Sequence, residues 1–329
     1  YCNNHYTQQD LYASVAGSYN STYLSLTAST DLRWSDLDCD VYRFNYVYRI
    51  DSKSLLSLIG SYKGWEANVA LLYTHIQDHT VAQADAMQKL TPMFLLSYKK
   101  DEWIFRAFHK RIFRAPTLND LYYTLVGNTK LNPEYTSQWD AGIDYKGKRF
   151  HFAVDGYYNH IDDKIVAIPM KCQFRWSMVN FGKVKSYGAS FSGGYNQDWG
   201  KFSLAANANY TYQIDKDYTM PSDPEYKNYI PYSPMHSGSV ILDLGYDSYS
   251  LCTSFLYTGE RFALVSNNAD DLLGDWYTID LKLNKRFKIG KHVLQTTLEC
   301  NNLADSRHEV VKRYPMPGRN WKCTVKFEL

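Results

Sequence analysis

The chain has 329 residues, and its 36 Lys and Arg against 34 Asp and Glu give a formal net charge of only +2. This balance excludes the strong positive field that nucleic-acid binding requires, so no nucleic-acid partner is expected. No apolar run reaches the roughly 18 residues of a transmembrane helix, but a membrane β-barrel hides its apolar band in alternation. The 30 Tyr and 8 Trp suit a boundary between lipid and water.

Along the chain, predicted short turns alternate with predicted long polar loops. The short turns are at Ser18–Ser21, Tyr62–Trp65, Lys99–Glu102, Lys146–Arg149, Gln197–Lys201, Tyr246–Tyr249 and Lys288–Lys291. The long loops are at Trp34–Asn45, Ile76–Leu90, Arg114–Tyr135, His160–Lys183, Ile214–Pro234, Arg261–Asp275 and Leu303–Gly318. Short turns at one end and long loops at the other are typical of an outer-membrane barrel. A soluble β-sandwich has no reason to segregate its loop lengths in this way.

The segments between these connections alternate apolar and polar residues. Phe202–Ile214, Tyr277–Phe287 and the final segment from Trp321 to Leu329 each place large apolar residues at every second position. A period of two over so many residues predicts strands with one apolar and one polar face. Strands of this length match a tilted membrane crossing, which takes roughly 9–11 residues. The fold class is therefore predicted to be all-β, a transmembrane antiparallel β-barrel whose polar face lines a wet interior.

The pattern contains about 15 such strands. An odd number of antiparallel strands does not close a barrel, because the first and last strands would run parallel. Residues 1–329 are therefore expected to be a fragment of a larger barrel. One departure concerns the last residue: many outer-membrane barrels end in Phe or Trp, whereas this chain ends in Leu329 with Phe327 two positions earlier.

One segment is more specific than the alternation. Arg111–Gly142 reads RIFRAPTLNDLYYTLVGNTKLNPEYTSQWDAG, with a Phe-Arg-Ala-Pro box followed by Leu-Tyr, Gly-Asn and Asn-Pro-Glu. It resembles the late-barrel signature of TonB-dependent outer-membrane receptors. Tyr158–Pro169 and Met178–Phe191 are similar to the next strand pair of that family, and Asn301–Asp305 with Arg313–Phe327 are similar to its last two strands.

The resemblance implies a fold, a location and a function. It implies a barrel of about 22 strands around an N-terminal plug domain in the cell outer membrane. Residues 1–329 would then be the C-terminal portion of that barrel, with about 15 of its strands, and the plug and first strands would lie outside this chain. It implies active import of a scarce nutrient, driven by TonB through the plug, in contact with outer-membrane lipid. A surface lipoprotein that acts as a lid is a further expected partner. The alternative from a different functional class is a passive porin or an adhesin barrel.

The family motif has a structural interpretation. Pro116 lacks an amide donor and so ends a strand, and Arg114 can pair with Asp120 or Glu134. Gly127 and Pro133 are expected to shape the loop. The motif residues assigned an architectural role are Phe113, Arg114, Pro116, Gly127, Asn128, Pro133 and Glu134.

Aromatic residues in the long loops are the candidates for substrate contact, because their rings give large contact areas at low entropic cost. The predicted ligand-binding residues are Tyr122, Tyr123, Arg175, Trp176, Tyr218, Tyr226, Tyr229 and Tyr232. The alternative is that these rings anchor the barrel in the outer leaflet or pack the loops against each other.

No catalytic group or metal site is predicted, and no cofactor is expected. His75 and His79 have helical metal spacing but lie at a predicted strand end. Asn267, Asn268 and the acidic pair Asp270 and Asp271 offer oxygen ligands that suit Ca²⁺, but a solvated loop is the simpler interpretation. An enzyme barrel would need a His, Ser and Asp group at one rim, and none converges, so the chain is not expected to be an enzyme.

The resemblance leaves the nutrient open between cobalamin, haem and an iron–siderophore. Haem receptors of the family place a His between the Arg-Ala-Pro box and the next motif, and Thr117–Leu131 contains no His. The amino-acid sequence of Leu121–Gln138 is most similar to that of cobalamin receptors of the Bacteroidetes type. Cobalamin is therefore the preferred nutrient, with haem or an iron–siderophore as the alternative.

Overall fold

The computed structural model describes residues 4–41, 44–80, 86–123, 126–169 and 176–328. The strands are β1 (Tyr6–Thr7), β2 (Asp10–Asn20), β3 (Leu24–Cys39), β4 (Val47–Tyr62), β5 (Trp65–His79), β6 (Met87–Lys100), β7 (Trp103–Arg114), β8 (Glu134–Lys146), β9 (Phe150–Pro169), β10 (Trp176–Trp199), β11 (Phe202–Asp217), β12 (His236–Tyr246), β13 (Tyr249–Thr258), β14 (Arg261–Phe262), β15 (Leu272–Leu273), β16 (Trp276–Ile289), β17 (His292–Asn301), β18 (Glu309–Val311), β19 (Tyr314–Pro315) and β20 (Asn320–Glu328). One helix, α1 (Leu118–Tyr122), and a 3₁₀ turn, Ala269–Asp271, complete the elements. Within the described residues, no helix has the length and apolar character needed to span a membrane.

Sixteen strands form one antiparallel sheet. Its order is β1-β3-β4-β5-β6-β7-β8-β9-β10-β11-β12-β13-β16-β17-β20, with β2 paired to β3. Apart from the two-residue β1, its strands have nine residues or more, so the prediction of about 15 long strands is confirmed. Strands adjacent in the chain are adjacent in the sheet, as expected for a meander of hairpins. Two small hairpins, β14–β15 and β18–β19, lie outside this sheet.

The predicted short turns are present as connections of two or three residues between consecutive strands. At the turn between β4 and β5, Lys63 and Gly64 both have positive φ, 47° and 85°. Such a turn matches the right-handed twist of the strands it joins. The first turn lies three residues later than predicted, since β2 continues to Asn20 and the turn occupies residues 21–23.

Two of the predicted long loops are wrong in extent. β3 continues to Cys39 through half of the segment Trp34–Asn45, and β9 and β10 extend through most of His160–Lys183. Trp176, predicted in that second loop, is the first residue of β10. The backbone ladder continues because its hydrogen bonds do not depend on side-chain type, whereas the alternation that identifies strands fades where lipid no longer selects apolar residues.

The register confirms that the apolar residues of neighbouring strands share one face. Val240 of β12 is opposite Phe255 of β13, which is opposite Ile279 of β16. The other face carries Ser254 opposite Asp280. Cross-strand partners point to the same side of a sheet, so this face is continuously apolar and its opposite is polar.

The chain divides into two compact units. The first contains residues 1–100, 106–140 and 159–184, and the second contains residues 101–105, 141–158 and 185–329. In the first unit, small buried clusters lie where a loop covers the sheet: Leu37, Val47 and Leu118 form one of them. Buried apolar residues in the second unit include Ile230 and Ala263, both in connections rather than in the long strands.

Candidate functional site

In the first unit, the motif segment folds back onto the sheet through α1. Thr117 caps the helix: its side chain accepts a hydrogen bond from the amide of Asp120, and its own amide donates to the Asp120 carboxylate. This reciprocal capping box satisfies two amides that a helix start leaves free. The sequence Thr-Leu-Asn-Asp after Pro116 therefore starts a helix locally, within a segment that was predicted only as a loop.

Two leucines of α1 attach it to the sheet. Leu118 packs with Leu37 and Val47, and Leu121 packs with Leu131 and Ile165. Burial of such side chains stabilises by about 1.5–3 kcal/mol each. The α1 segment is therefore a fixed part of the first unit.

A buried ion pair fixes the end of the Phe-Arg-Ala-Pro box. Arg49 donates from Nε and Nη2 to the two carboxylate oxygens of Asp78, at 2.5 and 2.7 Å. Its remaining Nη1 donates to the carbonyl of Pro116 at 2.6 Å. Both side chains of the pair are under a tenth exposed. Because this geometry is bidentate and its donors are satisfied, it holds the backbone of the box against β4.

Arg114 lies between the two carboxylates that the sequence suggested. Its guanidinium is 3.6 Å from Asp120 and 3.5 Å from Glu134. Glu134 also accepts a hydrogen bond from the amide of Ile165 at 3.0 Å, which links the start of β8 to β9. Phe113 contacts the ring of Tyr135 at 5.4 Å between centroids. These contacts support an architectural role for the motif.

Asn128 and Gly127 close the loop that follows α1. The Asn128 side chain donates to the carbonyl of Met178 and accepts from the amide of Lys130, both at 3.0 Å. A Cβ on Gly127 would lie 2.7–2.8 Å from backbone atoms of Leu121 and Tyr123, closer than real Cβ atoms approach. Glycine is needed here because the backbone passes over the end of the helix. Pro133 is half-buried and directly precedes β8.

The two predicted ligand-binding tyrosines of this unit have different environments. Tyr122 packs in both apolar clusters, and burial, followed by the nearby charge of Asp78, raises the pKa of its phenol. Tyr123 is about half exposed and stacks on Tyr6 at 4.9 Å between centroids. Arg175, the third candidate from this part of the chain, lies outside the described residues.

In the second unit, a buried arginine joins two loop hairpins. Arg261 of β14 is 4% exposed. Its Nη2 donates to the carbonyls of Glu309 and Val310 at 2.6 and 3.2 Å, and its Nη1 donates to the carbonyl of Gly274 at 3.4 Å. Burial lowers the pKa of this guanidinium. We call residues 259–275 and 302–319, which this side chain connects, the loop block.

A lysine adds a second link within the loop block. Lys312 Nζ lies 3.0 Å from a carboxylate oxygen of Asp271 and 2.5 Å from the carbonyl of Asp270. Ser266 donates to the other Asp271 oxygen at 2.9 Å. The Asn267 amide donates to loop carbonyls, including that of Tyr229. The acidic loop considered for Ca²⁺ therefore uses these oxygens and amides to hold the loops together.

Tyr232 lies against the loop block. Its backbone has a positive φ of 59°, and its amide donates to the carbonyl of Phe262 at 2.8 Å. Burial raises the pKa of its phenol, with smaller contributions from the charges of Asp271 and Glu309. A half-buried ring in this position stabilises the loops from beneath, which is the alternative that the sequence left open.

Three other predicted tyrosines come together with lysines. The rings of Tyr218 and Tyr226 contact edge to face at 5.6 Å. Lys185 lies over the Tyr218 ring and Lys216 over the Tyr229 ring, each at 4.5 Å from ammonium to centroid. Tyr218 and Tyr226 therefore contact each other, whereas the ring of Tyr229 stacks on Phe262 at 6.1 Å.

The histidine spacing has no counterpart in a metal site. His75 and His79 both lie in strand β5, where residues four apart are far from each other, and His79 stacks on Tyr48 at 4.5 Å. Across the described ranges, no group of three or more His, Cys, Asp or Glu side chains has the arrangement of a metal site.

No sequence pattern indicated which arginines hold the loops. Arg49 and Asp78 are 29 residues apart, and Arg261 reaches carbonyls 48 and 49 residues away. The hairpin register between β4 and β5, which places Arg49 opposite Asp78, could have suggested the first pair. No sequence signal specifies a carbonyl acceptor, because every residue carries one.

Comparison of this sequence with known protein families identifies one family. The family model for the TonB dependent receptor-like β-barrel matches residues 3–303. The vitamin B12 transporter BtuB of Vibrio vulnificus is 23% identical over 220 residues, which are 65% of this chain and 33% of that protein. The vitamin B12 transporter BtuB of Photobacterium profundum is 27% identical over 86 residues, 25% of this chain and 14% of that protein. The matched part thus spans a third or less of these curated relatives.

Solved structures share the fold. The copper transporter OprC has a TM-score of 0.77 at 15% identity, with 99% of this chain and 57% of that chain covered. The FrpB iron transporter of Neisseria meningitidis has a TM-score of 0.75 at 14% identity, with 98% and 55% covered. The ferric citrate transporter FecA has a TM-score of 0.73 at 13% identity, with 98% and 54% covered. At these identities the likeness concerns the fold alone.

Proposed function

The chain belongs to the TonB-dependent receptor β-barrel family of the outer membrane, and from this premise we propose that the receptor it forms part of imports cobalamin. The observation that carries the proposal is the match to vitamin B12 transporters of two organisms. A match of 220 residues is long enough to include loops as well as strands, and loops carry most binding residues of proteins with a rigid scaffold.

The exposed loop residues of the second unit fit an amphiphilic ligand. The hairpins held by Arg261 and Lys312 leave large apolar side chains uncovered. These are Leu272, Val310, Tyr314 and Met316, each 40–55% exposed. A fixed loop that presents apolar side chains loses little entropy when a rigid macrocycle binds it. Met316 and Tyr314 are therefore the first substitutions to test, although the sequence had not singled them out.

Energy coupling is part of the proposal. The matched relatives extend well beyond this chain, and a plug domain that TonB engages is expected in the remainder of the protein. A surface lipoprotein lid stays a proposed partner on the strength of the resemblance alone. A passive porin or adhesin is the competing function, and it differs in needing neither the plug nor TonB.

Ligand binding by the complete receptor, purified in detergent, tests the choice of nutrient. Cyanocobalamin, haem and a ferric siderophore are titrated side by side, and tryptophan fluorescence quenching is measured. We expect saturable binding of cyanocobalamin alone, and at least tenfold weaker binding for the double variant Tyr314→Ala, Met316→Ala. The matched control is Tyr249→Ala, in the first residue of β13 beside a short turn at the other end of the strands, which should bind normally. Binding of haem or the siderophore instead of cyanocobalamin would overturn the proposal.

A further inference from the structure

The inner face of β10 carries only small residues along much of the second unit. Alternate residues of a strand share a face, and the inner series from residue 186 to residue 194 is Ser186, Gly188, Ser190, Ser192 and Gly194. The outward series between them includes Tyr187 and Phe191, both more than a third exposed. Side-chain bulk is therefore missing from the inner wall along this strand.

Side chains of the two neighbouring strands border this strip. Towards the long loops, a Cβ on Gly188 would lie 2.9 Å from the hydroxyl of Tyr157 in β9 and 2.9 Å from Cα of Gln213 in β11. Towards the short turns, a Cβ on Gly194 would overlap the ring of His151 in β9. Glycine allows these borders to approach the backbone of β10 closely. We call the five small residues, with their borders His151, Tyr157, Asn207 and Gln213, the β10 groove.

The glycine contacts also show how β10 lies against β11. Six residues separate Gly188 from Gly194, and six separate Gln213 from Asn207, the β11 residues that these two positions approach. The antiparallel ladder therefore runs here without a bulge, and two positions further towards the long loops it sets Ser186 across from Asp215. Asp215 is only 9% exposed. The groove thus ends at a buried carboxylate.

One oxygen of this carboxylate is unsatisfied. Oδ2 of Asp215 accepts a hydrogen bond from Ser233 at 2.6 Å, and the Ser233 hydroxyl accepts one from the Gln213 amide at 3.0 Å. Oδ1 is buried and meets no donor among the residues that the structure describes. An unpaired buried acceptor costs free energy that a bound donor would recover. Asp215 is therefore prepared to accept a hydrogen bond from another molecule.

The loop that follows β11 covers Asp215. The amide of Ile230 donates to the Asp215 carbonyl at 3.0 Å, and Ser233 holds the side chain. Ile230 itself is buried, at 3% exposure. Displacement of this cover would expose the unpaired oxygen at the head of the groove, so that a ligand arriving from the long loops meets an acceptor there.

A second strip of small residues lacks such an acceptor. β2 has small inner residues from Ser14 to Ser18. The carboxylate beside that strip, Asp31 of β3, accepts hydrogen bonds from the hydroxyls of Tyr12 and Ser14. It is partly exposed, so water can satisfy its remaining capacity. The buried, unpaired oxygen distinguishes the β10 groove from this strip.

We propose that the β10 groove is the path by which the imported ligand passes along the inner wall, and that Asp215 accepts a hydrogen bond from the ligand at its entrance. This inference rests on the proposed import of cobalamin, whose corrin ring carries neutral primary amides at its edge. Such amides exchange hydrogen bonds with uncharged polar side chains, which hold a passing ligand weakly enough to release it. The uncharged residues on the inner face of β11 are Asn207, Asn209, Thr211 and Gln213.

Uptake and binding of radiolabelled cyanocobalamin by cells that carry the complete receptor separate passage from capture. The double variant Ser190→Phe, Ser192→Phe fills the groove. We expect its initial uptake rate to fall at least about tenfold, an added barrier of only about 1.4 kcal/mol. Its affinity for cyanocobalamin in cells lacking TonB should remain native, because capture precedes passage. The matched control Thr27→Phe, Ser29→Phe adds the same bulk to the inner face of β3 and should import at the native rate.

Two variants test the groove without added bulk. Ser190→Ala, Ser192→Ala keeps it open and should import at the native rate. Asp215→Asn keeps the size of the side chain but turns its unpaired acceptor into a donor. We expect uptake to slow about tenfold, as for the loss of one hydrogen bond to a charged group. A shift in gel mobility on heating shows that each variant is folded.

The outcomes separate this inference from the proposed function. If the native receptor imports cyanocobalamin, the path is wrong when either the phenylalanine variant of the groove or Asp215→Asn imports at the native rate. An equal loss in the β3 control would also overturn it, because passage would then not depend on one strand. Absence of cyanocobalamin binding and import by the folded native receptor would instead refute the proposed function, and this inference with it.

Discussion

The two units each fix their loops with a buried arginine, but the arginines have different partners. In the first unit, Arg49 forms a bidentate pair with Asp78 and has one donor left for the carbonyl of Pro116. In the second unit, Arg261 donates to the backbone carbonyls of Gly274, Glu309 and Val310. A compensated buried charge is costly to disrupt, whereas carbonyl contacts can be replaced by water when a loop opens. The first arrangement is therefore expected to resist disruption more strongly than the second.

Substitution in the first unit has the largest expected effect. Arg49→Met leaves the carboxylate of Asp78 buried without its partner, so we expect a loss of about 3–5 kcal/mol in the free energy of unfolding. Denaturant titration in detergent micelles measures this. The double variant Arg49→Met, Asp78→Leu removes both charges and should recover most of the loss. A single variant as stable as the native protein would show that the pair does not hold the motif.

The corresponding change in the second unit should act locally. Arg261→Met leaves three loop carbonyls without a donor, and we expect about 1–3 kcal/mol of local destabilisation. Hydrogen exchange should rise in residues 261–274 and 309–315, with little change in the strands. Lysine supplies fewer donors than arginine, so hydrogen exchange in Arg261→Lys should be intermediate between that of the native protein and that of Arg261→Met. Uniform protection throughout the loop block in Arg261→Met would remove the contrast between the units.

Two glycines sharpen the comparison of loop packing. Gly127→Ala forces a Cβ into backbone atoms of the first unit, so we expect a loss of about 1–3 kcal/mol. Gly274→Ala in the second unit meets no atom within 4 Å and should change stability by less than about 0.5 kcal/mol. Thermal unfolding of both variants gives the comparison. Equal effects would mean that the first loop is not tightly packed.

Alkaline pH should loosen the second unit's loops. The folded protein raises the pKa of Tyr232 above its ordinary value of 10.0, chiefly through burial. The folded state then retains a proton that the unfolded state has lost, so stability is full below about pH 10 and falls as pH rises through the folded pKa. Hydrogen exchange of the loop block as a function of pH measures this. Tyr232→Phe should flatten the profile, and an unchanged profile would exclude this tyrosine as its source.

A small effect is also expected at the motif arginine. Arg114 is nearly half exposed, and its contacts to Asp120 and Glu134 are longer than 3.4 Å, so solvent screens them. We expect Arg114→Ala to cost less than about 1 kcal/mol in denaturant titration. Glu134→Ala should cost more, because it also removes the acceptor of the Ile165 amide. The reverse order would assign the structural role to Arg114.

The sequence predicted the sheet better than the loops. Alternation identified Phe202–Ile214 within β11, and the turn at Tyr62–Trp65 was placed correctly. Contact with lipid and the geometry of a short turn each restrict the residue types along these segments, so both leave a sequence pattern. α1 was missed, because its capping box lies in a polar loop and no periodic apolar pattern follows it to indicate a helix. The contacts of Arg261 were not predictable, since carbonyl acceptors leave no trace in side-chain identity.

Uptake of radiolabelled cyanocobalamin tests the central claim most directly. Cells whose only candidate receptor is the complete protein are compared with the same cells lacking TonB. The account predicts saturable accumulation that disappears without TonB and that an excess of unlabelled cobalamin suppresses. Accumulation that persists without TonB would indicate a passive pore. No accumulation of cobalamin by cells that carry the folded receptor would contradict the proposed nutrient.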